Sequence, residues 1–323
     1  MHGLIFVRSQ APFVGTMVVK KVAHKQRYPG TESLSVQTRR LLRRFGLRAR
    51  KGLGQHFLVD DDVLQLITSA AELAPADIIM EIGPGLGVLT RELAKKAGLV
   101  VAIELDNRLA AILKQTLDSF GNVAVINEDI LQVEPAALLQ EQEARFLSTI
   151  TSRLDYKVVA NLPYYITSPV LRRFLETQVK PRIMVVMVQR EVAEVIAAEP
   201  GRMSVLSISV QLYGKPEIID YVPARCFYPV PEVDSAILRI DLYPRPAVDV
   251  TDKESFFELV HAGFSASRKQ IVNSLAQGLR LPKAEALSLL GRGGIDPQRR
   301  AETLALEEWA RLWQEFTQTG EPC

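Results

Sequence analysis

The chain is poor in the residues that build disulfide frameworks, metal centres and membrane spans. Its two cysteines, Cys226 and Cys323, lie far apart and one is the last residue, which excludes a disulfide framework and a paired-cysteine metal motif. The four histidines have no ligand-like spacing, so we expect no metal. No apolar run approaches the roughly 18 residues that a membrane-spanning helix needs, so we expect no membrane contact.

Acidic residues are missing from the start of the chain. The window 39–51 contains no acid, and its basic residues are Arg39, Arg40, Arg43, Arg44, Arg48, Arg50 and Lys51. Such a run favours contact with a polyanion over a merely solvated face. The segment 1–38 is interpreted as an N-terminal extension that shows no secretory signal pattern. A transit peptide, a disordered RNA-binding arm and a start codon placed too far upstream all stay open for it.

Short β-rich runs alternate with helical patterns from residue 77 to about residue 243, and the length allows two domains. This alternation predicts an α/β fold with a doubly wound parallel sheet across 39–244. The segments 217–222 and 235–242 indicate a hairpin-like pair at the edge of the sheet, and 203–213 fits either a helix or a strand. The five predicted sheet strands are 78–82, 99–105, 123–127, 156–161 and 183–189.

The pattern changes after residues 243–246, whose sequence Y-P-R-P is typical of a linker. Beyond it the spacing of apolar residues is helical to the end of the chain, with Thr251 or Asp252 as the cap of the first helix. We therefore predict a smaller all-helical domain over 245–323. The predicted helices are 253–265, 269–279, 283–290 and 306–316.

A glycine-rich loop follows the first predicted strand, in the sequence E-I-G-P-G-L-G at 81–87. Gly83 and Gly85 allow a cofactor to approach the backbone at the start of a helix. Val88 stands where a dinucleotide fingerprint needs its last glycine or alanine. Glu81 would repel a pyrophosphate but attract the ammonium group of an amino acid. The loop therefore favours S-adenosylmethionine over NAD.

Acidic residues also end the second and third predicted strands. Glu104 can accept hydrogen bonds from both hydroxyls of a ribose, and Asp129 can accept from the amine of the cofactor's adenine. Folds of this kind bind ligands beyond the carboxyl ends of their strands. The two acids and the glycine loop together predict a cofactor site.

The tetrapeptide N-L-P-Y at 161–164 follows the fourth predicted strand. Because proline cannot continue the hydrogen-bonded ladder, the strand must end there in a stiff loop. The Asn161 side-chain oxygen and a carbonyl near Pro163 can accept hydrogen bonds from the two hydrogens of an adenine N6 amine. Tyr164 can stack on the base. The tetrapeptide therefore predicts a clamp for a flat, amine-bearing base.

These motifs, taken in order, resemble the small-subunit ribosomal RNA adenine dimethyltransferase family from about residue 48 to residue 316. The resemblance adds K-G-L-G-Q-H-F-L at 51–58, F-Y-P-V-P-E-V-D-S at 227–235 and G-I-D-P-Q-R-R-A-E at 294–302. It implies a Rossmann-like class I methyltransferase fold. It also implies cofactor contacts at His56, Leu58, Gly83, Glu104, Asp129 and Asn161, although His56 departs from the family's commoner asparagine.

The resemblance implies that two adjacent adenines near the 3′ end of small-subunit (16S) rRNA are each dimethylated at N6. We expect Tyr164 and Phe227 to stack on the two faces of the target base, and we expect a cytoplasmic monomer that acts on the rRNA of the pre-30S particle. The residues expected to grip RNA phosphates are Arg48, Lys51, Arg268 and Lys269.

Three other functions compete with this one. The first is methylation of adenine N6 in large-subunit rRNA, and the motif at 294–302 argues against it. A non-catalytic RNA-binding assembly or transcription factor is opposed by the intact N-L-P-Y and the cofactor acids. A dehydrogenase is opposed by the spacing of the glycines.

Overall fold

A computed structural model describes residues 32–50, 52, 54–146 and 154–318 of the chain. Its strands are β1 (Phe57–Leu58), β2 (Ile78–Ile82), β3 (Leu99–Ile103), β4 (Val123–Ile126), β5 (Tyr156–Asn161), β6 (Ile183–Gln189), β7 (Gly214–Val222), β8 (Phe227–Tyr228) and β9 (Ser235–Leu242). Its helices are α1 (Leu34–Arg44), α2 (Asp61–Ala70), α3 (Val88–Ala94), α4 (Asn107–Thr116), α5 (Pro135–Phe146), α6 (Thr167–Glu176), α7 (Arg190–Ile196), α8 (Val205–Gln211), α9 (Lys253–Phe264), α10 (Ile271–Gly278), α11 (Lys283–Arg292) and α12 (Leu306–Gln318).

Seven strands form one sheet in the order β4-β3-β2-β5-β6-β9-β7. The pairs from β4 to β6 are parallel, whereas β9 pairs antiparallel with both β6 and β7. The predicted doubly wound sheet is therefore confirmed, and its edge carries the expected antiparallel pair. The segment 203–213, for which the sequence allowed either a helix or a strand, contains helix α8. Ser204 and Ser207 form a reciprocal capping box at the start of this helix.

The central strands β2 and β3 are buried along their whole length because both faces of the sheet are covered. Side chains that alternate along β5 enter different hydrophobic clusters. Tyr156, Val158 and Ala160 belong to the larger cluster, and Val159 belongs to a second cluster with residues of α2 and α3. The strand that ends in Asn161 is thus clamped from both sides, which fixes where its last residue lies.

Within the described residues beyond 246 the regular elements are all helical, as predicted, and Asp252 caps α9 by accepting hydrogen bonds from the backbone N–H groups of Glu254 and Ser255. The larger hydrophobic cluster runs from the sheet into these helices, since it includes both Leu238 and Trp309. The boundary between 244 and 245 stays a prediction. None of the described helices is long and apolar enough to cross a membrane.

Helix α1 is a feature that sequence reasoning missed. Leu34, Thr38 and Leu42 recur every four residues on one side of it and are buried. The arginines occupy the exposed positions between them. The helix spans the boundary predicted between 38 and 39, and where the N-terminal extension ends stays a prediction.

Candidate active site

A single cleft lies at the carboxyl ends of β2, β3, β4 and β5, where the strand order reverses between β2 and β5. Its volume, including the solvent in its open mouth, is about 1320 Å³, which is ample for a nucleoside-sized cofactor with a base beside it. The predicted site residues that line it are His56, Leu58, Glu81, Gly83, Gly85, Glu104, Asp129, Asn161, Pro163 and Tyr164.

The glycine loop needs glycine for conformation and for space. Gly83 and Gly85 have φ values of 67° and 60°, a region that residues with a side chain rarely adopt. A Cβ atom on Gly85 would lie 3.2 Å from the ring of Phe57, so a larger residue would push the loop and β1 apart. A Cβ atom on Gly83 would lie 3.7 Å from Pro163. The cofactor loop therefore packs directly beside the N-L-P-Y loop.

Glu104 is held in place by the backbone around it. Its carboxylate accepts hydrogen bonds from the N–H groups of Gly85 at 3.1 Å and Asp106 at 2.9 Å. Its own carbonyl accepts from the side-chain amide of Asn127 at 2.8 Å. Burial raises the pKa of Glu104 above its usual value, although the backbone hydrogen bonds oppose that rise. The carboxylate is thus fixed at the cleft wall, with lone pairs left for a ligand's hydroxyl groups.

Glu81 is a buried acid without a local counter-charge. Its side chain is 1% exposed, and its Oε2 atom has no hydrogen-bond partner among the described residues. Burial raises the pKa of Glu81 to about 8, against the opposing effect of the nearby Thr90 hydroxyl group, and Glu104 adds to the rise. An orphaned, buried carboxylate that lines a cleft is suited to receive a cationic group.

Three residues at the mouth of the cleft escaped the sequence analysis. Leu105 and Tyr165 line the cleft although they are 48% and 55% exposed, and Phe57 packs on the glycine loop. The pKa of Tyr165 is raised, chiefly by partial burial and also by the charges of Asp129 and Glu104. Tyr165 therefore lies close to both acids. Each of the three directly adjoins a predicted site residue in the sequence, and a large side chain in that position was the available signal.

The orientation of the Asn161 amide follows from its surroundings. Asn161 Nδ2 donates a hydrogen bond to the backbone carbonyl of His56 at 3.1 Å, and a carbonyl can only accept. This fixes which side of the amide is nitrogen and leaves Oδ1 as an acceptor. The next residue is anchored too, because Leu162 N–H donates to the carbonyl of Met187 at 3.1 Å. The carbonyl of Pro163 accepts from Ile166 N–H at 3.1 Å, which uses one of its two lone pairs.

Tyr164 is oriented by contacts at its hydroxyl group and its ring. Its hydroxyl group lies 2.8 Å from the hydroxyl oxygen of the fully buried Ser235. Burial raises the pKa of Tyr164, so it stays neutral at physiological pH. The ring of His56 faces the Tyr164 ring, with planes 20° apart and centroids separated by 6.0 Å, and His56 Nδ1 is 2.8 Å from the carbonyl of Pro229. Since that carbonyl accepts, Nδ1 carries the proton.

Phe227 requires a correction. Its ring is 2% exposed and packs in the second hydrophobic cluster, and it does not line the cleft. The cause is the short ladder between β1 and β8, which pairs Phe227 with the buried Leu58 and leaves Tyr228 exposed. The structure places the ring of His56, not that of Phe227, opposite Tyr164.

The four predicted RNA contacts are spread over two regions. Arg48 is exposed and lines a basic groove beside α1, while Lys51 lies outside the described residues. Arg268 and Lys269 are exposed in the loop between α9 and α10. None of these described residues reaches the cleft, so any part they play is in binding and not in chemistry.

The fold and the cleft place the chain among the Rossmann-like class I methyltransferases. The sequence profile described as "Ribosomal RNA adenine dimethylase" matches residues 46–318. The chain belongs to this family.

Curated relatives match over nearly their full length. "Ribosomal RNA small subunit methyltransferase A" of Dehalococcoides mccartyi is 47% identical over 91% of this chain and 97% of its own. The Bacillus cereus protein of the same name is 44% identical over 85% of this chain and 94% of its own.

Solved structures also match the fold, and two of them have TM-scores above 0.6. The dimethyladenosine transferase from Plasmodium falciparum has a TM-score of 0.66 and 25% identity over 82% of this chain and 98% of its own. The 23S rRNA methyltransferase ErmE has a TM-score of 0.63 and 30% identity over 81% of this chain and 99% of its own.

Proposed function

We propose that the chain transfers methyl groups from S-adenosylmethionine to the N6 atoms of two adjacent adenines near the 3′ end of small-subunit rRNA. The observation that carries this proposal is the Asn161 amide. Its nitrogen is engaged by His56, its oxygen is left to accept, and it lines the same cleft as Glu81 and Glu104. An acceptor for an exocyclic amine thus lies beside groups suited to a cofactor.

Bound S-adenosylmethionine supplies a methyl group on a sulfonium. The chain's own part is to make the amine a better nucleophile and to position it. Asn161 Oδ1 and the second lone pair of the Pro163 carbonyl accept the two N6 hydrogens, which favours a nitrogen whose lone pair points away from the ring. S-adenosylmethionine, when bound, would present its methyl carbon to that lone pair and keep the carbon–sulfur electron pair on sulfur, and the N6 proton would then pass to water. Most of the rate enhancement is therefore positional.

The target adenine must leave its stack to enter the cleft, which costs a few kcal/mol. Tyr164 recovers part of this cost by stacking, a contribution of about 1–3 kcal/mol per base. We assign the opposite face to His56 because its ring is parallel to Tyr164 and tethered to Pro229. A base between the two rings needs about 7 Å, so the rings must separate by roughly another 1 Å from their present 6.0 Å.

The cofactor residues divide by chemistry. We assign the ribose hydroxyls to Glu104, the adenine amine to Asp129 and the amino group of the methionine part to Glu81. His56, Leu58, Gly83 and Gly85 form the walls of the pocket around these acids. The orphaned Oε2 of Glu81 supports its assignment, because an ammonium group would supply the missing partner.

Cofactor binding is expected to release a proton through Glu81. With a pKa of about 8, the free carboxyl is mostly protonated at pH 7, and a bound ammonium group lowers its pKa. Binding of S-adenosylhomocysteine should therefore release close to one proton at about pH 6.5 and almost none well above pH 8, and it should tighten between these values. Isothermal titration calorimetry in buffers of different ionisation enthalpy measures the release.

The matched control is Glu81→Gln, which keeps the shape but cannot ionise. It is expected to weaken binding and to abolish the proton release at every pH. Equal proton release by the variant and the unaltered protein would remove Glu81 from this role.

Small-subunit rRNA is favoured over large-subunit rRNA by degree of similarity. The curated small-subunit relatives reach 47% identity, whereas the 23S rRNA methyltransferase ErmE reaches 30%. We place the reaction in the cytoplasm, on the maturing small subunit, and we propose a monomer that needs no metal.

Labelled methyl transfer to isolated subunits tests the proposal. Undermethylated small subunits and large subunits are incubated separately with the protein and S-[methyl-³H]adenosylmethionine. We expect label in small-subunit rRNA alone. Label confined to the large subunit would overturn the choice of substrate, and no label in either would overturn the enzyme activity.

A further inference from the structure

A second concavity lies between α1, the segment that follows it and the end of β8. Its lining is less apolar than that of the cleft, and basic side chains surround it. We call it the α1 groove, and it is lined by Arg39, Leu42, Arg43, Gly46, Leu47, Arg48, Ala49, Tyr228 and Pro229. Of these residues, Arg48 was predicted to grip an RNA phosphate, and Arg39 and Arg43 belong to the basic run predicted to contact a polyanion.

The α1 groove is lined by positive charge that has no acidic partner within the part of the chain that the structure describes. Arg39 and Arg43 are one helical turn apart and share a face of α1, while Arg48 follows from the next segment. All three are exposed, and none forms an ion pair with an acid in the described part of the chain. Three guanidinium groups around one hollow favour a ligand that carries phosphate.

Tyr228 gives the groove an aromatic floor. It is 39% exposed, and the guanidinium of Arg39 lies over its ring at 5.5 Å from the centroid. A planar cation over a half-exposed tyrosine is already arranged as a stack. A nucleobase can extend or replace that stack, because every base has a face suited to an aromatic ring.

The groove and the catalytic cleft are joined by a short, rigid connection. Tyr228 pairs with Phe57 in the β1–β8 ladder, and Phe57 lines the cleft. The carbonyl of Pro229, which lines the groove, accepts from His56 Nδ1 at 2.8 Å. His56 in turn lies opposite Tyr164. The groove and the cleft are therefore neighbours that share the β1–β8 ladder and the His56–Pro229 hydrogen bond.

We propose that the α1 groove binds the nucleotide next to the target adenine, with its phosphate on Arg43 and Arg48 and its base on Tyr228. This inference rests on the proposed function and adds a subsite to it. The groove holds the flanking nucleotide of a single strand whose target base is turned into the cleft. His56 is hydrogen-bonded to Pro229 in the groove and faces Tyr164 in the cleft. A ligand in the groove therefore also restricts the motion of the His56 ring, which faces the target base.

Replacing Tyr228 by alanine tests the stacking part. We expect KM for undermethylated small subunits to rise by about 5- to 100-fold, with the Kd for S-adenosylhomocysteine unchanged. Tyr228→Phe keeps the ring and should stay near the unaltered protein. The matched control is Tyr221→Ala, because Tyr221 is 46% exposed and carries Arg190 over its ring at 4.8 Å, yet it lies on β7. Equal KM for Tyr228→Ala and Tyr221→Ala would overturn the stack.

Replacing Arg43 by alanine tests the phosphate part. We expect weaker subunit binding and a logarithmic salt dependence whose slope falls by about one unit. The control is its neighbour Arg44→Ala, since the Arg44 guanidinium lies over Phe45 at 5.2 Å instead of lining the groove. Equal slopes for the two variants would overturn the phosphate assignment.

A photo-reactive benzoylphenylalanine in place of Tyr228 identifies the ligand without depending on the stability of a truncated side chain. We expect a crosslink to small-subunit rRNA within one or two nucleotides of the methylated adenines. A crosslink to a ribosomal protein or to a distant rRNA segment would overturn the inference. Methyl transfer by the unaltered protein, measured in parallel, separates this failure from failure of the proposed function.

Discussion

Replacing Asn161 by alanine is expected to lower kcat for methyl transfer at least about 100-fold, the size of effect seen when one preorganised polar group is removed from a reaction centre. The variant loses the only side-chain acceptor that we assign to the N6 amine. Binding of S-adenosylhomocysteine should weaken by no more than about tenfold, the equivalent of one hydrogen bond. Subunit binding should stay largely intact. Single-turnover transfer to undermethylated small subunits, with separate binding titrations, measures these quantities.

Asn122→Ala is the matched control for that result. Asn122 also uses its side-chain amide to hold backbone carbonyls, those of Ala94 and Ala97 at 2.9 Å, but it lies outside the cleft. It is expected to cost stability and to leave kcat near its normal value. A normal kcat in Asn161→Ala would remove Asn161 from the chemistry, whereas equal losses in both variants would indicate a general structural effect.

Replacing Lys157 by methionine is expected to lower the free energy of unfolding by about 3–5 kcal/mol, as when one member of a buried ion pair is removed. Lys157 is 1% exposed on β5. Its ammonium donates to Asp77 Oδ2 at 2.7 Å and to the carbonyls of Ala71 and Glu72 at 2.9 and 2.6 Å. Methionine fills similar space but removes all three of these hydrogen bonds. Urea unfolding, followed by circular dichroism, measures the loss.

Arg182→Met provides the control because Arg182 pairs with the other oxygen of the same acid. Arg182 Nη2 lies 3.4 Å from Asp77 Oδ1, but its side chain is 53% exposed. Water screens that pair, so we expect a loss of less than about 1 kcal/mol. If the two substitutions cost the same, the stabilising effect of Lys157 does not come from its burial.

The positions of many cleft residues were predictable because the carboxyl ends of parallel strands lie at one edge of the sheet. Glu104 and Asn161 follow strands whose apolar runs are visible in the sequence, so their shared location followed from the fold class. The predicted strand 156–161 coincides with β5, yet its second residue is a buried lysine. The partner carbonyls of Lys157 come from a helix end more than eighty residues earlier in the chain. A single strand pattern does not predict that pairing.

The misplaced residues have one cause in common, the small sheet made by β1 and β8. Two-residue strands leave no periodic signal, and their pairing decides which side chain of 227 and 228 faces the core. Sequence reasoning therefore placed Phe227 at the target base and overlooked Tyr228. It also could not predict the orientation of the His56 ring, because the carbonyl that fixes this ring belongs to the distant residue Pro229. Helix α1 was missed because its charged face dominated the composition of the segment.

Mass spectrometry of the nucleosides in reacted small-subunit rRNA tests the central claim most directly. Undermethylated subunits are treated with the protein and S-adenosylmethionine, and the rRNA fragments are then sequenced by their masses. The account predicts N6,N6-dimethyladenosine at two adjacent adenines near the 3′ end and no such product with Asn161→Ala. Methylation of another base, of another position on adenine, or of neither adenine would contradict it.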